Sequence, residues 1–144
     1  MVAFAHTGFI ASLYLEEATS KAADAALGAK RQPLPLTPLV HLELRNAFNR
    51  AVQRQRITTA ERDALWQDVA SDIASGFLVR TPVPSADLHA KARELSDRYT
   101  PTIDTRSLDL LHVAAAVILG AETFFSFDER QRRAAAGEGM EVKP

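Results

Sequence analysis

The sequence predicts an α/β fold, with a central parallel sheet of about four to five strands and helices on both faces. Three observations carry that expectation. Short apolar or aromatic runs alternate along the chain with longer segments of helical periodicity, the pattern of successive strand-helix units. The segment Leu108–Leu119 is Leu, Ala, Val and Ile apart from Asp109 and His112, and a helix apolar nearly all round belongs in the interior. Thr123-Phe124-Phe125-Ser126-Phe127 combines aromatic and β-branched residues in the chain's clearest strand signal.

Each element follows from local chemistry. Val2 to Ala5 is a short apolar run that passes through His6-Thr7-Gly8 into Phe9, Ile10, Leu13 and Tyr14 at helical spacing, which reads as strand, turn, helix. The alanine-rich stretch from Thr19 to Ala29 reads as a helix closed by Gly28 or by Pro33-Leu34-Pro35. Leu36 and Thr37 suit a short strand. Pro38 fits a first helical turn, where its missing N–H costs nothing, and Leu39, Leu42, Leu44, Ala47, Phe48 and Val52 continue an apolar stripe. Thr58 or Thr59 with Glu61 or Arg62 marks the next N-terminus, Leu65, Trp66, Val69 and Ile73 its apolar face, and Gly76 its stop. Phe77-Leu78-Val79 reads as a strand. Ser85 can cap a helix marked by Leu88, Ala92, Leu95 and Tyr99 that ends before Pro101. After the strand at 123–127 come Asp128, a short arginine-rich helix and a last strand near Glu141-Val142-Lys143.

Composition narrows the function classes. A chain of 144 residues with 47% hydrophobic and 24% charged residues has the size of one ordinary domain with one core, expected to span 1–144. It contains no apolar run of about 18 residues and no secretory signal pattern, so the expected location is the cytoplasm, with no membrane association. Having no cysteine, it can hold a metal only through oxygen or imidazole ligands. The net charge of −1 argues against whole-molecule attraction to nucleic acid but leaves room for a local basic patch.

In open parallel sheets, ligands bind outside the carboxyl ends of the strands. His6 and Asp128 follow strands there, while Glu43 and Asp109 lie in the first turns of helices that start at the same edge. Carboxylates gathered in one crevice repel one another, and a hard divalent cation relieves that repulsion. Such a cation activates water and stabilises charge on a phosphodiester oxygen. Taken singly, each acid equally suits a helix cap or a partner for the helix dipole.

The set Phe4-Ala5-His6-Thr7, Thr37-Pro38-Leu39-Val40-His41-Leu42-Glu43-Leu44-Arg45-Asn46-Ala47, Ser107-Leu108-Asp109-Leu110-Leu111-His112-Val113-Ala114-Ala115-Ala116 and Phe124-Phe125-Ser126-Phe127-Asp128-Glu129-Arg130-Gln131 resembles the PIN-domain family. The likeness is to its VapC-type toxin ribonucleases in particular, and it covers nearly the whole chain. It implies a PIN-like parallel sheet and the toxin component of a type II toxin-antitoxin system. That component would be a Mg²⁺- or Mn²⁺-dependent endoribonuclease, a homodimer, with RNA as substrate and a small VapB-type antitoxin as partner. By the same resemblance Glu43, Asp109 and Asp128 take the family's acidic positions as catalytic and metal-ligating residues, with Thr7 and Ser126 as supporting hydroxyls. His6 stands where the family pattern has aspartate. An imidazole offers one nitrogen and no negative charge, so Mg²⁺ affinity should fall. Two expectations follow: an endoribonuclease impaired by His6 or working with a cation that tolerates nitrogen, such as Mn²⁺, or a catalytically inactive protein that retains antitoxin and RNA binding.

The other polar residues are read more plainly. His112, three residues after Asp109, reads as a packed core histidine hydrogen-bonded to its surroundings rather than as a ligand, and His41 and His89 receive no role. No Gly-x-Ser-x-Gly elbow or phosphate-binding glycine loop is present. A receiver-like phosphoacceptor domain is disfavoured, because no acid pair follows the first strand. Arg45, Arg50 and Arg130 are the expected RNA contacts, with Arg54, Arg56, Arg132 and Arg133 adding charge nearby. Tyr14 and Trp66 read as core or interface. A surface built from Ile10, Leu13, Tyr14 and the helix near Trp66 suits an antitoxin segment or a second copy of the chain.

Overall fold

A computed structural model describes residues 2–144. In chain order the elements are β1 (Ala3–Ala5), α1 (Thr7–Tyr14), α2 (Ser20–Leu27), β2 (Leu34–Leu36), α3 (Pro38–Gln53) and α4 (Thr59–Ser75), followed by β3 (Leu78–Arg80), α5 (Ser85–Ile103), α6 (Ser107–Ile118), β4 (Thr123–Phe125), α7 (Glu129–Gly137) and β5 (Glu141–Lys143). The fold is α/β. Every strand pairing among the described residues is parallel, and the ladders fall into a three-stranded sheet in the order β1-β4-β5 and a two-stranded sheet of β2 and β3. The chain divides into two compact units, one formed by the residues up to His6 together with Pro82–Pro144, the other by Thr7–Thr81.

In the first unit β4 is the central strand, pairing Phe4 with Phe124 on one side and Phe124 with Val142 on the other. All three residues of β1 and of β4 are buried, as expected for parallel strands covered on both faces. Helix α6 supplies the interior. Leu110, His112 and Val113 through Ala116 are buried along it, and its small residues let neighbouring elements approach closely. Leu108, at the start of that apolar segment, is instead 51% exposed.

Helix α5 departs from expectation at both ends. It starts after Pro84 as N-cap, so Ser85 is its first residue and not its cap, and it runs through Pro101 to Ile103. A proline costs a helix one hydrogen bond and a ring clash with the turn before it, and the helix continues past the exposed Pro101 by only two residues, Thr102 and Ile103. Asp104 then closes the helix at φ 59°, a conformation that asparagine and aspartate tolerate better than most residues.

In the second unit, capping chemistry sets the helix starts. Thr37 accepts a hydrogen bond from the Val40 amide ahead of Pro38. Thr58 and Glu61 form a reciprocal capping box, and Gly76 ends α4 in the left-handed conformation at φ 84°, which glycine adopts without a Cβ penalty. The buried stripe of α3 is Val40, Leu44, Phe48 and Ala51. Leu42, expected within that stripe, is 67% exposed, because two residues at 100° each carry it most of the way round the helix from Leu44. On α4 only Val69 is fully buried. Of the two stops expected for α2 it is Gly28 that caps it, while Leu34 and Pro35 of the proline segment belong to β2.

Candidate active site

The first unit assembles its polar residues at the carboxyl ends of β1 and β4. The His6 amide donates to the Phe125 carbonyl at 2.9 Å, which extends the β1-β4 ladder by one residue and fixes where the imidazole leaves the sheet. Beyond β4 the chain turns through Ser126, fully buried, whose amide donates to the Lys143 carbonyl at 3.0 Å. Its hydroxyl accepts from the Asp128 amide at 3.0 Å and donates to Gln131 Oε1 at 2.9 Å. Asp128 is the N-cap of α7, with Oδ1 accepting from the Gln131 amide at 3.0 Å.

Asp109 lies in the first turn of α6. One of its oxygens accepts from the Arg106 amide at 3.1 Å, and the other accepts from Gln131 Nε2 at 2.8 Å. Gln131 therefore joins the two aspartates, touching Asp128 through its backbone and Asp109 through its side chain. It is fully buried, so both ends of its amide must find partners. In the sequence Gln131 is one polar residue of an arginine-rich stretch, with nothing local to mark this role.

His112 is 1% exposed and packs at 6.2 Å from the Phe4 ring, itself stacked on Phe124 at 5.7 Å. Its other ring neighbour is His6, at 4.8 Å between centroids and 79° between planes. A ring nitrogen of each lies within 4.8 Å of the other. The expected core packing is present, together with an imidazole pair at the strand end.

The second unit contributes Glu43. Thr7, buried as the first residue of α1, donates its hydroxyl to Glu43 Oε1 at 2.8 Å. The supporting threonine thus fixes the carboxylate of α3. On the same helix Arg45 lies over the Trp66 ring at 4.8 Å, and Trp66 stacks on His41 at 5.5 Å and 4°. Burial against that stack, and then the positive charges of Arg80 and Arg45, hold the His41 imidazole below its ordinary pKa. Arg50 and Arg54 line a cavity of about 200 Å³ with Ala11, Leu15 and Arg56.

Two arginines expected to add phosphate-binding charge have structural ties. Arg56 donates to the Glu16 carbonyl at 3.1 Å and pairs with Glu17 at 3.6 Å. Arg132 donates to the Ser126 carbonyl at 2.9 Å and pairs with Glu129 at 3.6 Å. Ile10, expected on a docking surface, is fully buried. A larger cavity, about 430 Å³, lies instead among Tyr14, Leu15, Arg56, Ile57, Ala64 and Leu65.

The PIN domain family model matches residues 4–137. The chain belongs to the PIN-domain family. Among solved structures it is similar to the VapC20 toxin of Mycobacterium tuberculosis, a sarcin-ricin loop cleaving toxin, at 22% identity and a TM-score of 0.70, covering 99% of each chain. It is also similar to FitAcB from Neisseria gonorrhoeae, at 16% identity and a TM-score of 0.70, covering 99% of this chain and 97% of that one. No curated protein matches. At these identities the two structures establish a shared PIN fold. No helix among the described residues is long and apolar enough to cross a membrane.

His6 and His112 bring imidazole nitrogens within 4.8 Å of one another, a donor pair that suits a first-row divalent metal. Asp109 and Asp128, joined through Gln131, offer carboxylate oxygens, but among the described residues they are not gathered with the imidazoles into one donor group.

Proposed function

We propose that this PIN domain is the toxin of a type II toxin-antitoxin pair, a divalent-metal-dependent endoribonuclease that acts in the cytoplasm as a homodimer. The observation that carries the proposal is the bridge through which Gln131 holds Asp109 and Asp128 together behind β4, in a chain whose family model covers nearly its whole length. Glu43 is proposed as the third acid. Its support is covalent: Thr7, which holds Glu43, is next in the chain to His6, at the end of β1.

In this reading the acids hold Mn²⁺ or Mg²⁺, which when bound supplies activation of water and stabilisation of charge on the scissile phosphate. The residues themselves do the positioning. Ser126 and Gln131 orient the two aspartates and Thr7 orients Glu43, so the carboxylates need little reorganisation on binding. Arg45, Arg50 and Arg130 are proposed to hold phosphates of the RNA, a role that leaves sequence choice to other contacts. The partner is proposed to be a VapB-type antitoxin, and the cavity between Tyr14 and Leu65, whose lining mixes apolar side chains with Glu16, Arg56 and Glu61, is proposed to receive one of its segments.

His6 supports a second reading, a PIN protein that binds antitoxin and RNA but no longer cleaves, because an imidazole replaces the charge of the family's first carboxylate. RNA cleavage in Mn²⁺ and in Mg²⁺ separates the two. The enzyme reading expects cleavage in Mn²⁺ that falls by about 100-fold or more in Asp109→Asn, and Mg²⁺-supported cleavage that rises in His6→Asp. The silent reading expects no cleavage by the native chain in either ion, with activity gained only in His6→Asp. Absence of cleavage in all of them, with RNA of several structures, would remove the nuclease assignment.

A further inference from the structure

We infer that His6 and His112 form a pair of nitrogen ligands that turn this site toward a transition-metal divalent cation and away from Mg²⁺. The inference rests on the reading of the site as metal-binding, and it assigns a ligand, His112, for which the sequence favoured packing over ligation. Two features of the fold support it. The two imidazoles meet edge to face, with a nitrogen of each within 4.8 Å of the other. Two nitrogens on one tetrahedral cation stand about 3.3 Å apart, so a modest ring rotation brings the pair to ligand spacing. His112 also follows Asp109 by three residues on α6, which places imidazole and carboxylate on one side of the helix.

Packing alone explains the pair less well. Phe4 and Phe124 make the surroundings of His112 aromatic, and a phenylalanine would fill that space without bringing polar ring nitrogens into the interior. An imidazole earns its place there through what its nitrogens bind. The substitution at His6 and the histidine opposite it then belong together: where the family pattern has a carboxylate suited to Mg²⁺, this chain has two borderline ligands suited to Mn²⁺, Co²⁺ or Zn²⁺.

The test uses the metal-free full chain and Co²⁺, whose visible absorption reports its ligands without any enzymatic assay. The native protein should bind one Co²⁺, and a Mg²⁺ excess of about 100-fold should not displace it. His6→Ala and His112→Gln should each weaken Co²⁺ binding by about 10-fold or more, as losses of ligating groups do. Native Co²⁺ affinity in both variants, or displacement by equal Mg²⁺, overturns the inference. Should His112→Gln fail to fold by circular dichroism, ¹⁵N imidazole resonances of the native chain decide the point. On adding Zn²⁺ a His112 nitrogen must move to the metal-bound range, and an unmoved His112 overturns the assignment. Failure of the wider nuclease reading looks different: neither the native chain nor His6→Asp would cleave RNA in Mn²⁺ or in Mg²⁺, whatever the imidazoles bind.

Discussion

Replacing Gln131 with methionine tests whether the aspartates are held as described. The side chains are similar in length, so the change removes hydrogen bonds while leaving most of the packing. Two side-chain bonds disappear, one from Nε2 to Asp109 at 2.8 Å and one from Ser126 to Oε1 at 2.9 Å. The first involves a carboxylate and is worth about 1.5–3 kcal/mol, the second about 0.5–1.5 kcal/mol, so Gln131→Met should cost about 2–4 kcal/mol. The backbone bond from residue 131 to Asp128 survives, which keeps the helix cap intact. With a urea m-value of about 1–3 kcal/mol/M, the unfolding midpoint followed by circular dichroism should fall by about 1–2 M. Combining the change with Asp109→Ala should be less than additive, because both remove the same bond. A loss below about 0.5 kcal/mol, or strict additivity with Asp109→Ala, would refute a bridge through Gln131.

Two further outcomes concern the scaffold. Burial, then the hydrogen bond to Asp72 and its charge, hold the Tyr14 phenol well above its ordinary pKa. The neutral form is therefore favoured in the folded state, and its contribution, complete below the unfolded value of about 10, is lost as pH rises past that value. Urea midpoints measured up to about pH 11 should fall more steeply for the native chain than for Tyr14→Phe, and parallel slopes would count against it. Gly137→Ala should destabilise by about 1–3 kcal/mol through overpacking, since its Cβ would stand 2.7 and 2.8 Å from Tyr99 ring atoms. Thermal unfolding should show that loss in the native background and not in Tyr99→Ala.

Much of the fold is legible in the sequence because each signal is local. Pro38 behind a threonine, the Thr58–Glu61 capping box and the apolar run of α6 each act over a few residues. The placing of His6 and Asp128 is legible for a different reason, since parallel topology carries residues that follow strands to one edge. Gln131 was missed because its side-chain partner, Asp109, is far away in sequence, and a glutamine inside an arginine-rich stretch looks like surface. The contact between His112 and His6 is hidden in the same way. Leu42 misleads because residue type alone does not say which way a helix turns it, and Pro101 because one lost bond and a local clash near the end of a long helix do not keep Thr102 and Ile103 out of it.

The proposed function turns on one divalent cation held by His6, Asp109 and Asp128. Anomalous diffraction at the manganese edge from crystals grown with Mn²⁺ tests it directly. The account predicts a single strong peak about 2.0–2.3 Å from ligand atoms of these residues. With saturating Mn²⁺, no peak beside them, or peaks only at other surfaces, would contradict it.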